Sequence, residues 1–332
     1  MRDLRLGVDL GGTKIEAVVL RLPADDPRKR DAAPEILARV RRPTERQRGY
    51  EHVLEGVVAA IDDVTRSAGL AEPPAIGIGM PGGITMRAPD GRRLEAALVK
   101  NSNTTCLNGR PFRADLAMRL GRPIVFDNDA NCFALAEATF GAAQGARVAF
   151  GVILGTGVGG GIAIALEGPP RTWPGAQGIA GEWGHVPLEP RTGPACYCGR
   201  RGCVETYLSG PAIERAYEER CGVRRPLAEI ASRTEDAVAS ELLGEVVEIF
   251  GRALSIVVDV VDPDVIVLGG GVSNLDLFYD RGHAAVGRWI FDDALDTPIV
   301  RHALGDSAGV FGAALLPGGP VPTTPASVDR AG

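Results

Sequence analysis

The chain repeats itself at long range. Residues 150–164 (FGVILGTGVGGGIAI) align without gaps on residues 6–20 (LGVDLGGTKIEAVVL). In both, an apolar run reaches a glycine turn after the same number of residues, and a second apolar run follows. A second echo pairs AIGIGMPGG (75–83) with VIVLGGGV (265–272). Such self-similarity predicts two related α/β lobes, although short strand–glycine–strand matches also arise by chance.

Local patterning fills in the rest. The predicted strands are the two arms of residues 4–20, then 35–41, AIGIGM, 124–127, the two arms from 147, VIVLGG and TPIVRHA. Helices are expected at 50–68, 111–120 with Pro111 in the first turn, 129–140, 209–221, 226–232, 235–260, 274–290 and 307–316. A loop rich in Asp, Arg and Pro covers 23–34, and the turn-rich tail 318–332 is expected to be disordered. With 332 residues, 45% of them hydrophobic and 23% charged, the chain can bury a core for one or two domains. A net charge of −6, with no basic cluster followed by aromatics, argues against a nucleic acid or an anionic membrane as partner. The opening MRDLRLGVDL lacks the apolar core of a signal peptide, so a cytoplasmic, reducing setting is expected.

Between residues 182 and 205 (EWGHVPLEPRTGPACYCGRRGCVE) lie His185, Cys196, Cys198 and Cys203. Three thiolates and an imidazole complete a closed, structural type of tetrahedral Zn²⁺ site. Gly199 and Gly202 would let the backbone bend so that the sulfurs face one ion. The other readings are a disulfide or ordinary buried thiols. Glu182 and Glu205 flank this segment and are not needed by the metal.

Three glycine turns follow strands: Gly11 and Gly12; Gly155, Thr156 and Gly157; Gly269, Gly270 and Gly271. Bare glycine lets backbone N–H groups approach phosphate oxygens. Two tempting motifs fail on context. GVDLGGTK resembles a Walker A loop but ends Gly-Thr-Lys and leads into a strand, and GTGVGG leads into the alternating GIAIAL, whereas a dinucleotide fold requires a helix there. Asp9, at the end of the first strand, suits a Mg²⁺ that bridges nucleotide phosphates, or a simple turn entry. Asp129 in DNDAN (127–131) is either an N-cap or a base for attack on a phosphoryl group.

DLGGTK, NDAN, GTGVGGG, GEWGH, CYCGRRGCVE and DVIVLGGG, taken in this order, resemble the ROK family of sugar kinases. The resemblance covers residues 5–316. It implies an α/β, actin-like ATPase (ribonuclease H-like) fold, with ATP and sugar in a cleft between two related lobes. The expected boundaries are 1–123 plus 305–317 for the small lobe, and 124–304 for the large lobe with its zinc loop 182–205. It further implies Asp129 as catalytic base, with Gly82, Asn103, Asn128, Glu182, His185 and Glu205 as sugar ligands. His185 would then serve both zinc and a sugar hydroxyl. Gly11, Gly12, Thr13 and Lys14 with Gly155, Thr156 and Gly157 would face the phosphates, Gly269, Gly270 and Gly271 the adenosine, and Asp9 would serve Mg²⁺. A homodimer is implied as well.

Within the family, VKNSNTTCLNGRPF (99–112), AGEWGHVPL and GDSAGVFGAA most resemble bacterial fructokinases, so fructose is the expected substrate and N-acetylglucosamine a poor one. Cys106 departs from the aromatic those relatives often carry. The alternatives are an N-acetylglucosamine kinase, a glucokinase or mannokinase, or a sugar-responsive repressor. The repressors carry a DNA-binding domain ahead of the kinase-like body, for which the position of Asp9 leaves no room. A glycosidase using Glu182 and Glu205 would leave the glycine turns without a purpose.

Overall fold

The first glycine turn lies between two antiparallel strands, β1 (Leu4–Leu10) and β2 (Lys14–Arg21), with Leu10 opposite Ile15. The computed structural model describes residues 3–23, 33–88, 90 and 92–318; most of the 23–34 loop and all but the first residue of the 318–332 tail lie outside the described residues. β3 (Glu35–Pro43) joins β2 antiparallel, and α1 (Tyr50–Ser67) follows. β4 (Ala75–Met80) then runs parallel to β1. β5 (Gly83–Arg87) and β6 (Arg93–Lys100) form a small antiparallel sheet of their own. After α2 (Phe112–Leu120), β7 (Ile124–Asn128) closes the main sheet parallel to β4, giving the order β3-β2-β1-β4-β7, and α3 (Asp129–Phe140) follows. The β5–β6 hairpin was not predicted, because its strands are only half buried and their alternation is weak.

The second part of the chain repeats the scheme. β8 (Val148–Leu154) and β9 (Val158–Ile164) pair antiparallel around the second glycine turn. β10 (Arg171–Thr172), α4 (Glu205–Leu208), α5 (Gly210–Cys221), α6 (Leu227–Ser232) and α7 (Ala237–Val261) follow. β11 (Val265–Gly269) is parallel to β8 and to β12 (Ile299–Arg301), with the short α8 (Arg281–Gly287) between β11 and β12. The order β9-β8-β11-β12 therefore reproduces β2-β1-β4-β7. The gapless alignment slips by one residue at the turn, because Leu154 pairs with Val158 whereas Leu10 pairs with Ile15.

Asp236 caps α7 by accepting from the Val238 and Ala239 amides, and Asp262, in the left-handed region at φ 47°, ends it before Pro263. The helix expected over 274–290 is instead two 3₁₀ turns and the short α8. Leu275 is extended, and Phe278 is drawn into the core against Phe250, their ring centroids 4.9 Å apart. α9 (Ala308–Leu315) closes the described chain but for a 3₁₀ turn ending at Gly318.

Contacts group the described residues into two compact units. The first takes those of Met1–Ala136, Arg171–Ala180 and Ser307–Gly332, and the second takes Glu137–Pro170 and Gly181–Asp306. β7 and the start of α3, expected with the large lobe, fall in the first unit because β7 is hydrogen-bonded to β4.

The first unit's core follows from periodicity. Val53, Leu54, Val57, Ile61 and Val64 recur at helical spacing on α1, and all are buried with Leu6, Val8, Ile76 and Ile78 of β1 and β4. Each such side chain contributes about 1.5–3 kcal/mol. Strand side chains alternate, so the odd positions meet α9, and there the sequence places glycine. A Cβ at Gly7 or Gly77 would collide with the backbone of α9, and one at Gly312 of α9 with the Cys132 carbonyl of α3. In the second unit the fully buried Glu137 accepts from the Ala142, Ala303 and Leu304 amides and so fixes the segment that precedes α9. Among the described residues no helix is long and apolar enough to cross a membrane.

Gly312→Ala tests the close approach of α9. Backbone would have to move to admit the methyl group, at a cost of about 1–3 kcal/mol or more. Thermal unfolding should show Tm lowered by several degrees; an unchanged Tm would mean that α9 does not pack this closely.

Candidate active site and metal cage

Two carboxylates stand out in the first unit. Asp9 lies at the end of β1, and Asp129 opens α3 directly after β7. Burial, then the charge of Asp129, pushes Asp9 up to about 7 against the pull of Lys14. Burial likewise raises Asp129, which the Ala130 N–H only partly offsets with a 2.9 Å hydrogen bond. Asp129 is not the cap of its helix in the usual sense. Asn128 takes that part, accepting from Ala130 N at 2.8 Å, while its amide donates to the Gly82 carbonyl at 3.0 Å. Gly82 requires its φ of 83°, and a Cβ there would meet the backbone of Ser102 at 2.7 Å. Asn128 and Gly82, both expected to meet sugar, thus help fix the start of the helix that Asp129 opens.

The first glycine turn sits beside Asn103. A Cβ on Gly12 would stand 3.6 Å from Asn103 Oδ1 and 3.3 Å from Arg46 Nη1, and that guanidinium donates to the Asn103 carbonyl at 2.8 Å. Thr44 braces the turn: its hydroxyl donates to Gly11 O, and its amide to Thr13 O. Lys14 Nζ is 3.1 Å from Glu16, a fully buried carboxylate that also holds Arg39 and Arg41. Arg46 was missed from sequence, since it stands in a short polar 3₁₀ turn with no pattern to mark it.

In the second unit Glu182 and His185 bound one 3₁₀ turn (Glu182–His185). Trp183 anchors it: its indole donates to Ala253 O at 2.8 Å and meets Phe150 edge-on. Gly181 and Gly184 let the turn lie flat on β9, where a side chain at either would collide with that strand's backbone. Val204 N donates to Val186 O at 3.1 Å, which brings the start of α4, and with it Glu205, alongside. Glu205 Oε2 accepts from Val158 N at 2.9 Å and lies 2.7 Å from where a Cβ of Gly157 would stand. Burial raises the Glu205 carboxyl.

The cage is formed by a tight turn in which Cys196 N donates to Arg200 O and Gly199 N to Cys196 O. Gly199 and Gly202 adopt φ of 89° and 64°, as their predicted role demands. His185 Nδ1, Cys196 Sγ, Cys198 Sγ and Cys203 Sγ all lie within 4.8 Å of one another. The Nδ1–Cys196 separation is 3.5 Å and the Cys198–Cys203 separation 3.7 Å. Metal–sulfur bonds of about 2.3 Å in a tetrahedron give edges of this length. All six cysteines are free, so the disulfide reading does not hold. Without metal, burial and the neighbouring thiols push Cys203 up to about 12, and burial raises Cys196. At Cys198 burial is outweighed by the Arg200 N–H and the adjacent thiols, so it falls below its ordinary value. Burial, then the charge of Arg200, lowers His185 below its ordinary value. The four donor atoms are close enough for one cation to be held between them. The structure departs from expectation at Nε2 of His185: it is not free but lies 3.0 Å from Tyr197 Oη.

The remaining glycine turns leave open backbone. Nothing described lies within 4 Å of a Cβ placed at Gly155 or Gly271, whereas Gly270, at φ 84°, backs against Leu154. Gly269 ends β11, and Ser273 Oγ donates to Gly270 O at 2.7 Å. A cavity of about 170 Å³ in this unit is lined by Thr156, Tyr197, Glu205, Thr206, Ser209 and Arg215, so the second glycine turn and the zinc loop share one polar space.

Two sheets of the same strand order, each opened by a glycine turn, with carboxylates at the end of the first strand and the head of a helix, define an actin-like ATPase built for phosphoryl transfer. The chain belongs to the ROK family, whose profile matches residues 5–318, and it is an ATP-dependent sugar kinase of that family. It is 35% identical over 323 residues to an N-acetyl-D-glucosamine kinase of Vibrio vulnificus, covering 93% of this chain and 98% of that one. Among solved structures it resembles a ROK hexokinase from Thermus thermophilus (TM-score 0.77, 32% identity, 95% of this chain and 97% of the other). It also resembles a ROK family glucokinase from Streptomyces griseus solved with glucose and AMPPNP (TM-score 0.73, 29% identity, 95% and 99%).

The cage predicts one equivalent of zinc in protein purified without chelator, by elemental analysis. Cys198→Ser should lose the ion and loosen the loop that carries Glu182 and Glu205, since structural zinc contributes on the order of 10 kcal/mol to local folding. Full zinc retention by that variant would remove Cys198 from the cage. Separately, Gly157→Ala should displace the Glu205 carboxylate and weaken sugar binding, measured by calorimetry, with zinc content unchanged.

Proposed function

We propose that this enzyme transfers the γ-phosphoryl group of ATP to the 6-hydroxyl of N-acetylglucosamine. The observation that carries the reaction is the buried Asp129 at the head of α3, raised above the usual carboxylate range and electrostatically coupled to Asp9. A carboxylate so placed accepts the 6-hydroxyl proton as that oxygen bonds to the γ-phosphorus and the bond to ADP breaks. Asp9 would hold Mg²⁺, which supplies charge neutralisation on the phosphates. Two buried like charges suit a divalent cation. Open backbone at Gly155 and Gly271, the first glycine turn with Thr13 and Lys14, and Thr156 would receive the nucleotide, with Gly269 and Gly270 shaping its adenosine side. Glu182, Glu205, His185 and Asn103 would receive the sugar hydroxyls. Zinc has no step in the chemistry; it fixes the loop.

The choice of sugar departs from the expectation of fructose, which rests on the wording of residues 99–112 and of the segment around Glu182 and has no support among the relatives. Named N-acetylglucosamine kinases at 34–35% identity favour the acetylated sugar. Cys106 points the same way. It packs against the first unit's core, and its side chain is smaller than the aromatic that fructokinases often carry there. The wider reading of a homodimer rests on the family resemblance.

Rates of ATP consumption across a sugar panel test this. N-acetylglucosamine should exceed glucose, mannose and fructose in kcat/KM by tenfold or more. A win for another hexose overturns the choice of sugar, and no consumption with any of them overturns the kinase. Asp129→Asn should lose about 10²–10⁴ in kcat while sugar binding largely survives. Because the Asp129 carboxyl is raised, it takes up its proton as pH falls through a value above the ordinary 3.9 or so. The acid limb of kcat/KM should therefore lie above that value, with activity retained on the alkaline side.

A further inference from the structure

His185 has two nitrogens, and the fold gives each a different neighbour. Nδ1 faces Cys196 Sγ at 3.5 Å within the cage, while Nε2 faces Tyr197 Oη at 3.0 Å. A metal on Nδ1 leaves the single ring proton on Nε2, so in the loaded protein Nε2–H donates and the tyrosine oxygen accepts. An accepting hydroxyl oxygen at hydrogen-bond distance from this N–H is what a sugar hydroxyl would also present. We propose that the Tyr197 hydroxyl is a stand-in for substrate: it occupies the His185 donor in the sugar-free protein and is displaced when a sugar hydroxyl takes its place. This rests on the reading of His185 as a sugar ligand.

The tyrosine is built to be displaced. Tyr197 is 62% exposed, so no core packing fixes its ring. It meets the His185 ring only edge-on, with centroids 5.1 Å apart and planes at 87°. Its position between two cage cysteines tethers the backbone while leaving the side chain free to turn about χ1. It also lines the polar cavity that contains Glu205 and Thr156, so the displaced ring starts from inside the space that a ligand would enter. The hydrogen bond keeps the imidazole donor satisfied until substrate arrives, and a ligand lacking a hydroxyl at that point would lose the donor without replacing it. Tyr197 in this account sets affinity and hydroxyl selectivity, and has no part in the chemical step.

Tyr197→Phe removes one oxygen from an exposed ring, and zinc content checks that the cage stays intact. With the competitor gone, calorimetry of N-acetylglucosamine should show Kd lowered roughly three- to tenfold. KM for the sugar should fall in step, with kcat unchanged. Equal or weaker sugar binding would overturn the proposal, since Tyr197 would then be idle or a sugar contact itself. A second arm needs no substrate: ¹⁵N-histidine NMR of the zinc-loaded protein should show the His185 Nε2–H resonance shifted between wild type and Tyr197→Phe. An unshifted resonance overturns the contact. Should no sugar bind the wild type, the functional reading fails, and the NMR arm alone decides whether Tyr197 holds His185.

Discussion

Unit 1 depends on backbone meeting backbone. α9 lies so close to β1 and β4 that Gly7 and Gly77 beneath it have no room for a Cβ, and α3 approaches α9 in the same way at Gly312. The site inherits its geometry from this contact. Gly309 at the start of α9 would place a Cβ 3.2 Å from Asp9 Oδ2, so the helix that covers the sheet also walls in the carboxylate. Cys132 of α3 is buried among Asp9, Asp127 and Asp129, and their charges add to burial in keeping its thiol protonated. Burial of Asp9 and Asp129, from which their raised proton affinity follows, is thus a product of glycine placement far along the chain.

Much of this is legible in the sequence. Strands with continuous apolar runs, such as AIGIGM and VIVLG, and helices with clear spacing, such as α1 and α7, declare themselves because burial alone decides them. The turns at Gly199 and Gly202 are legible for the same kind of reason: only glycine accepts those angles cheaply. Failures cluster where tertiary packing decides. Residues 274–290 carry a helical pattern, yet Phe278 reaches Phe250 only if the chain breaks near Leu275. Arg46 and Tyr197 acquire meaning from neighbours 57 and 12 residues away, through contacts that no local pattern records.

The choice of hexose shows a different limit. Words such as NSNTTC and AGEWGHVPL carry Asn103 and Glu182, but they mark the backbone that presents these side chains more than the volume around them. Selectivity between an acetamido group and a hydroxyl is decided by a few cubic ångströms beside one carbon of the sugar.

The glycine contacts of α9 also constrain the order of events during synthesis. β1 and β4 are among the first strands made, yet the helix that covers their second face begins at Ala308, near the far end of the chain. Until that helix is made, the face of the first sheet that carries Gly7 and Gly77 has nothing of α9 to cover it. The second sheet, completed by β12 at Arg301, has all its strands first. The glycine face of the first sheet can therefore be covered only after every strand of the second sheet has been made.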